Sequence, residues 1–408
     1  MNVHVPRPYH RGRMVLSVVF LVTLMTLVFA WPQSHDDATG AAPAAPKVKI
    51  QGDSVLVSWQ RTSSATPTSG DHDLRIEPPG YSCTPNGPDS CIVRHAPSSV
   101  DLRFAVRTEF GGAWTPWSAL SAEIPRTQIV IIAGQSNATG WEAPVTDAQG
   151  TNVLAVGATE ADQAVRLSWD QPKNFTTERI GLGPEESVSL TTPQTLKGTV
   201  PSSAKGTAIF GPEITLARRL YASGQRDLLV LKVTQSGTQL GDNGPWSAPD
   251  GSLYKALVAD AKYLLNREAS HGRLASVVAI NWYQGENDSK PGLAEAYQRN
   301  LTTFITSLRS AIPTSAATPF VIAMTSTESW VHTQQFAKAC AGASCDGLLR
   351  ANEQVRAADR AVAGSLGHVG LVDTVVLPHA TGGLHLNAQG ELTLGTMLAD
   401  TDLSIGLT

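Results

Sequence analysis

The sequence predicts an α/β protein: a three-layer α/β/α domain around a central parallel sheet, with a small all-β sandwich on its N-terminal side. Three observations carry this reading. From Gln128 onward, apolar β-branched runs alternate with amphipathic helical stretches. From Lys47 to Ile124 the pattern is instead one of short alternating runs punctuated by Gly, Pro, Ser and Asp. Hydrophobic residues make up 42% of the 408 and charged residues only 16%, which excludes extended disorder and leaves ample material for two cores.

Residues 1–31 read as an export element. Arg7, Arg11 and Arg13 precede an uncharged apolar run from Met14 to Trp31, and Pro32, Asp36 and Asp37 follow it. A basic flank before an apolar run is the pattern of a signal peptide, and residues 14–31 are also near the lower limit for spanning a bilayer. Cleaved signal and retained membrane anchor are both compatible with it; either way the basic flank stays inside and the rest is outside, in solution or attached to the cell envelope. Residues 32–46, rich in Ala, Pro, Asp and Gly, form a linker.

Residues 47–125 contain the runs VKIQG, SVLVSWQ, DLRIEP, VDLRFAVRTEF and WSALSAEIP, each expected to be a strand. Val57 and Trp59 share one face of their run, as do Phe104, Val106 and Thr108 of theirs. With VSW early and FAVRTEFGGAWTPWS late, the stretch resembles a fibronectin type III domain.

Residues 126–408 supply the α/β domain. IVIIAG, DLLVLKV, SVVAINWY, FVIAMTS and HVGLVDT are runs of the kind buried on both faces of a parallel sheet. One intervening helix starts at Pro212 and Glu213, favourable first-turn residues, and places Ile214, Ala217 and Leu220 inward. Another puts Leu293, Tyr297, Leu301, Ile305 and Leu308 on one stripe.

The four cysteines fall as two close pairs, Cys83 with Cys91 and Cys340 with Cys345, which in an exported chain read as two local disulfides. Neither pair has the spacing or the histidine partners of a zinc site. The net charge of −4, without a long basic run, excludes nucleic acid as a partner and suits a neutral substrate.

In an open parallel sheet, ligands bind at the carboxyl ends of the strands. The first run ends in Gln135, Ser136 and Asn137, where a serine at a strand-to-helix turn exposes its hydroxyl beside backbone N–H groups. The second ends in a loop containing Gly237, which lets a backbone N–H approach an oxyanion. The third runs into Gln284, Gly285, Glu286, Asn287 and Asp288, whose amides can donate to the same oxyanion. His385 lies in a loop before the last helix and is the natural base for a serine hydroxyl, with His379 as a competitor. Trp141 and Trp246 are either sugar-stacking platforms or core residues.

In this order, the segments IIAGQSNATGW, FGPEITLARRL, LKVTQSGT, WYQGENDS and GLHLNAQG resemble the SGNH hydrolases, in particular the branch of sialate O-acetylesterases and carbohydrate esterase family 6. The resemblance spans Ile131 to Gly390. It implies a serine esterase that removes acetyl groups from glycans through an acetyl-enzyme, with no metal or organic cofactor. Ser136 would be the nucleophile and His385 the base, with Gln135 and Asn137 in the substrate-binding loop. The Ser136 and Gly237 N–H groups and an amide from Gln284 or Asn287 would hold the oxyanion.

One position departs from the family pattern. Where the family usually carries an Asp three residues before its catalytic histidine, this chain has Gly382. The orienting acid must then come from elsewhere, with Glu286, Asp288 and Asp373 as candidates, or a backbone carbonyl must replace it. Two rival readings follow: a carbohydrate-binding surface protein that kept the pocket and lost turnover, and an SGNH esterase or lipase acting on a different ester.

Overall fold

The computed structural model describes residues 41–60, 72–96, 100–110, 112–171, 179–183, 186–192, 194–195, 208–314, 317–326 and 345–407. The apolar run 14–31 and Cys340 lie outside the described residues, so the expected pairing of Cys340 with Cys345 does too. Among the described residues, no helix is long and apolar enough to cross a membrane.

The first unit contains β1 (Lys47–Gln51), β2 (Ser54–Ser58), β3 (His72–Glu77), β4 (Thr84–Pro85), β5 (Ser90–Val93), β6 (Arg103–Phe110) and β7 (Ala113–Trp114). They form two antiparallel sheets, ordered β1-β2-β5-β4 and β3-β6-β7. Alternation turns Val55 and Val57 inward from the first sheet and Phe104 from the second, and these meet in one core with Ile50, Val93 and Leu102. Cys83 and Cys91 are disulfide-bonded, as the spacing predicts for an exported protein, and the bond ties the loop before β4 to β5.

The run WSALSAEIP does not form the regular strand expected of it. Instead, Thr115, Ser118 and Ser121 return to β6 at every third residue. Each donates its backbone N–H to a β6 carbonyl, of Thr108, Val106 and Phe104 in turn. Each side-chain oxygen accepts the N–H of that same β6 residue, at 3.1, 3.0 and 3.2 Å. Hydroxyls thus take the place of ladder carbonyls, which suits a ribbon with a repeat of three and not two. Alongside it, the Arg107 guanidinium lies over the rings of Trp114 and Trp117, at 4.8 and 4.6 Å.

The second unit follows without a linker. Pro125 accepts the N–H of Leu274 at 2.8 Å, and β8 (Arg126–Gly134) begins at the next residue. The other long strands are β9 (Arg166–Asp170), β10 (Leu228–Thr234), β11 (Leu274–Tyr283), β12 (Phe320–Met324) and β13 (Val369–Asp373). Their order is β9-β10-β8-β11-β12-β13, every pairing parallel, with the short antiparallel strands Arg179–Ile180 and Val188–Ser189 added on β9. Five of the six are the runs read from sequence; β9, sequence RLSWD, lacks their continuous apolar character.

Six helices matter here: α1 (Ser136–Thr139), α2 (Glu213–Ala222), α3 (Ser252–Ser270), α4 (Tyr297–Ala311), α5 (Cys345–Ser365) and α6 (Ala388–Ile405). Along β8 the residues alternate between layers. Ile129, Ile131 and Ala133 pack under α3, α4 and α5, while Val130 and Ile132 pack under α2 and α6. The stripe Tyr297, Leu301, Ile305 and Leu308 is buried as its period requires. The sandwich core continues onto Ala269 and Leu274, at the amino ends of the strands. From β8 the chain moves first to β9 and β10 on one side, then to β11 on the other, so the carboxyl ends of β8 and β11 flank a topological switch point.

Candidate active site

The loop after β8 is held by close backbone approach. Gly134 has φ +145°, and a Cβ there would sit 2.0 Å from the Tyr283 carbonyl oxygen, so only glycine fits. That carbonyl accepts the N–H of Gln135 at 3.0 Å, and Ser136 then opens α1. Gly140, at φ +82°, ends α1 in the left-handed conformation, where a Cβ would meet the Phe210 carbonyl. The chain therefore turns back at once, with Trp141 N–H donating to the Ser136 carbonyl at 3.1 Å. Beneath α1, the buried Lys232 ammonium donates to the Thr139 carbonyl at 3.0 Å and pairs with buried Glu213 at 2.9 Å.

Asn137 joins three segments distant in sequence. Its amide nitrogen donates to Glu286 Oε1 at 2.6 Å and to the Leu384 carbonyl at 3.3 Å, and its oxygen accepts the Leu386 N–H at 3.0 Å. The residues on both sides of His385 are thus bonded to the residue that follows Ser136. The clamp thereby ties the helix that Ser136 opens to the loop that carries His385, and Asn137 spends its amide on the protein. Glu286 is buried, its second oxygen has no partner among the described residues, and burial pushes its carboxyl above the usual range despite the Asn137 bond.

The loop after β11 divides its polar residues by task. The Gln284 amide nitrogen contacts Asp288 Oδ2 at 2.6 Å, the Thr238 carbonyl at 3.0 Å and Gln135 Oε1 at 3.3 Å, while the Tyr297 hydroxyl donates to the Gln284 carbonyl at 3.0 Å. Both hydrogens of that amide are therefore engaged. Asp288 accepts the N–H groups of Leu240 and Gly241 at 2.9 and 2.8 Å, which fixes the loop after β10. Burial pushes its carboxyl upward against those bonds. Asn287 differs: it is half-buried, its oxygen accepts from the Lys290 ammonium at 2.6 Å, and its amide nitrogen makes only long contacts, 3.3 Å to the Gly237 carbonyl and 3.4 Å to Gln239. Gly237 is exposed beside it, and a Cβ there would meet no atom within 4 Å.

None of the carboxylates read from sequence faces His385 Nδ1 in an ion pair. Glu286 holds Asn137, Asp288 holds the β10 loop, and Asp373 pairs with Arg356 at 2.9 Å. The carboxylate that does so is Glu142, whose Oε2 lies 3.5 Å from His385 Nδ1. Contact with His385 holds its carboxyl below the ordinary glutamate range, against an opposing push from burial. Sequence alone offers one weak signal for it: Glu142 belongs to the same IIAGQSNATGWE segment as Ser136. His379, the competing histidine, has its Nε2 buried with no partner among the described residues, and burial lowers its pKa. Trp141 is half-buried, its ring 6.4 Å from the imidazole. Trp246 is core, edge-on to Trp282 at 5.0 Å, with its indole N–H on Thr238 at 2.9 Å.

A parallel sheet whose strands β8 and β11 deliver a serine helix and an amide-rich loop to a histidine loop has the layout of α/β hydrolytic enzymes. More narrowly, the chain belongs to the carbohydrate esterase family of sialic acid-specific acetylesterases, whose model matches residues 126–404. Solved structures similar to it include a protein from Arabidopsis thaliana, 21% identical over 69% of this chain and 99% of the other, with a TM-score of 0.44. A carbohydrate acetylesterase from Xanthomonas citri is 14% identical over 88% and 75%, with a TM-score of 0.44. The structure of NanS is 13% identical over 69% and 98%, with a TM-score of 0.46. No curated protein matches the chain.

Proposed function

We propose that this carbohydrate esterase hydrolyses O-acetyl esters of an exported or environmental glycan, with Ser136 as nucleophile and His385 as general base. The observation that carries the reading is the Asn137 clamp, which bonds the serine helix to both flanks of the histidine loop. Ser136 Oγ attacks the acetyl carbonyl while His385 takes its proton. The imidazolium then protonates the departing sugar oxygen, which leaves as a hydroxyl, and a water activated by the same imidazole releases acetate from the acetyl-serine. His385 is favoured over His379 because, of the two, only His385 has a carboxylate in ion-pair contact with Nδ1 among the described residues.

For the oxyanion, the backbone N–H groups of Ser136 and Gly237 and the amide of Asn287 are the proposed donors. Asn287 is preferred to Gln284 because the contacts of its amide nitrogen, at 3.3 and 3.4 Å, are easily exchanged for a ligand while Lys290 holds its oxygen at 2.6 Å, whereas the Gln284 amide nitrogen is saturated. Trp141 offers a half-buried face for a sugar ring beside the base. The sandwich, whose strands are ordered as two antiparallel sheets, is proposed to be fibronectin type III-like; its core packs at the opposite end of the sheet, against Ala269 and Leu274.

Hydrolysis of 4-nitrophenyl acetate and of longer acyl esters, by wild type and Ser136→Ala, tests the assignment. The expected result is a loss of about 10³-fold or more in kcat for the variant and a strong wild-type preference for acetate. Equal rates for the two proteins would remove Ser136 from the mechanism, and a preference for decanoate would overturn the acetylesterase reading.

A further inference from the structure

We propose that Glu142 is the acid that orients His385, a carboxylate moved from the histidine loop to the turn that follows the nucleophile helix. The inference rests on the esterase reading above and names a positioning residue of that site.

Three observations converge on it. Glu142 Oε2 stands 3.5 Å from His385 Nδ1, an ion-pair contact looser than a formed hydrogen bond, as catalytic contacts often are before substrate closes the cleft. The turn that carries Glu142 is built into the serine helix. Gly140 N–H donates to the carbonyls of Ser136 and Asn137, and Ala143 N–H donates to Gly140, each at 3.1 Å. The nucleophile and the acid therefore move as one hydrogen-bonded unit, and Asn137 of that unit grips the histidine loop.

The third observation concerns Gly382, which stands where the sequence resemblance calls for an Asp. Gly382 is exposed and has no left-handed backbone constraint. A Cβ built there meets only one atom within 4.0 Å, and that atom is Glu142 Oε2, at 4.0 Å. A carboxylate on residue 382 and the carboxylate of Glu142 would thus compete for one place beside the imidazole. The same small volume is filled from the other side of the cleft, and the missing acid has a substitute.

A carboxylate on Nδ1 fixes the tautomer that leaves Nε2 free to accept the serine proton, and it stabilises the imidazolium that results. The other titratable groups that act on His385 are Glu286, buried behind Asn137, and His379 on its own loop.

The test compares wild type, Glu142→Gln, and the double variant Glu142→Gln with Gly382→Asp, on 4-nitrophenyl acetate across pH, with thermal melts of each. Glu142→Gln is expected to lose roughly 10- to 100-fold in kcat/KM, with an unchanged melt. The loss falls on kcat with KM held, as expected of a residue that acts through the base and not on the substrate, and the double variant recovers most of the rate. Wild-type kcat/KM in Glu142→Gln would overturn the proposal, and so would a loss that Gly382→Asp does not recover. Ser136→Ala in the same series separates the two levels: an inactive Ser136→Ala beside a fully active Glu142→Gln sinks only the acid assignment, whereas an active Ser136→Ala sinks the esterase itself.

Discussion

The two ends of the central sheet treat a buried glutamate in opposite ways. At the amino ends of the strands, Glu268 accepts two bonds at 2.8 Å from Arg166 and one at 2.7 Å from the Thr127 hydroxyl, with Arg273 and Arg267 at 3.2 and 3.4 Å. Burial alone would push its carboxyl up, but the Arg166 and Thr127 bonds and the arginine charges outweigh burial and hold it at about 2. At the carboxyl ends, Glu286 receives one side-chain bond, keeps one buried oxygen without a partner among the described residues, and is pushed the other way. Ser236 Oγ and Gln235 Oε1, in the loop after β10, are also buried without partners among the described residues. One end of the sheet is finished by the protein itself, and the other is left with polar capacity that a ligand can complete.

The clearest way to break this division is to exchange the expected effects of the two ends. Asn137→Ala removes the clamp at the carboxyl end and leaves the Leu386 N–H and the Glu286 carboxyl without their partner. It should lower kcat about 10- to 100-fold, and it should cost about 2 kcal/mol of stability. Glu268→Gln should do the reverse. Steady-state kinetics at neutral pH should stay within about twofold of wild type, while the loss of the arginine counter-charge costs on the order of 3 kcal/mol in denaturant unfolding. A larger kinetic effect from Glu268→Gln than from Asn137→Ala would refute the division.

Acid sharpens the same contrast. The folded Glu268 carboxyl lies at about 2 against an ordinary 4.5, so its contribution is complete above pH 4.5 and is lost as the pH falls toward 2. Unfolding measured across that window should show wild type losing more stability than Glu268→Gln. The smallest effect on turnover belongs to the sandwich. Reducing the Cys83–Cys91 disulfide, which closes a short loop, should cost about 2–3 kcal/mol in the stability of that unit and leave kcat unchanged.

Much of the hydrolase was legible because its strands are buried on both faces. Continuous apolar runs such as IVIIAG and SVVAINWY mark themselves, and their carboxyl ends point to the loops that carry Ser136 and Gln284. β9 was not legible, since RLSWD mixes Arg, Ser and Asp with its apolar residues. The hydroxyl ladder of Thr115, Ser118 and Ser121 escaped a search for alternation because its repeat is three. In the site, sequence named residues but not their tasks. Asn137 and Gln284 look like free amides until their partners are known, and Asp288 looks like an acid until its two oxygens are found on backbone N–H groups. Glu142 is the sharpest case, because only the meeting of two loops far apart in sequence shows which carboxylate faces His385.

The Asn137 clamp also couples parts of the chain that are made far apart in time. Its acceptor at residue 384 and its donor at residue 386 follow it by 247 and 249 residues. On the proposed assignment, a nascent product that stops short of those residues carries the nucleophile without its base, so hydrolytic competence arrives only once both partners of the clamp have been synthesised.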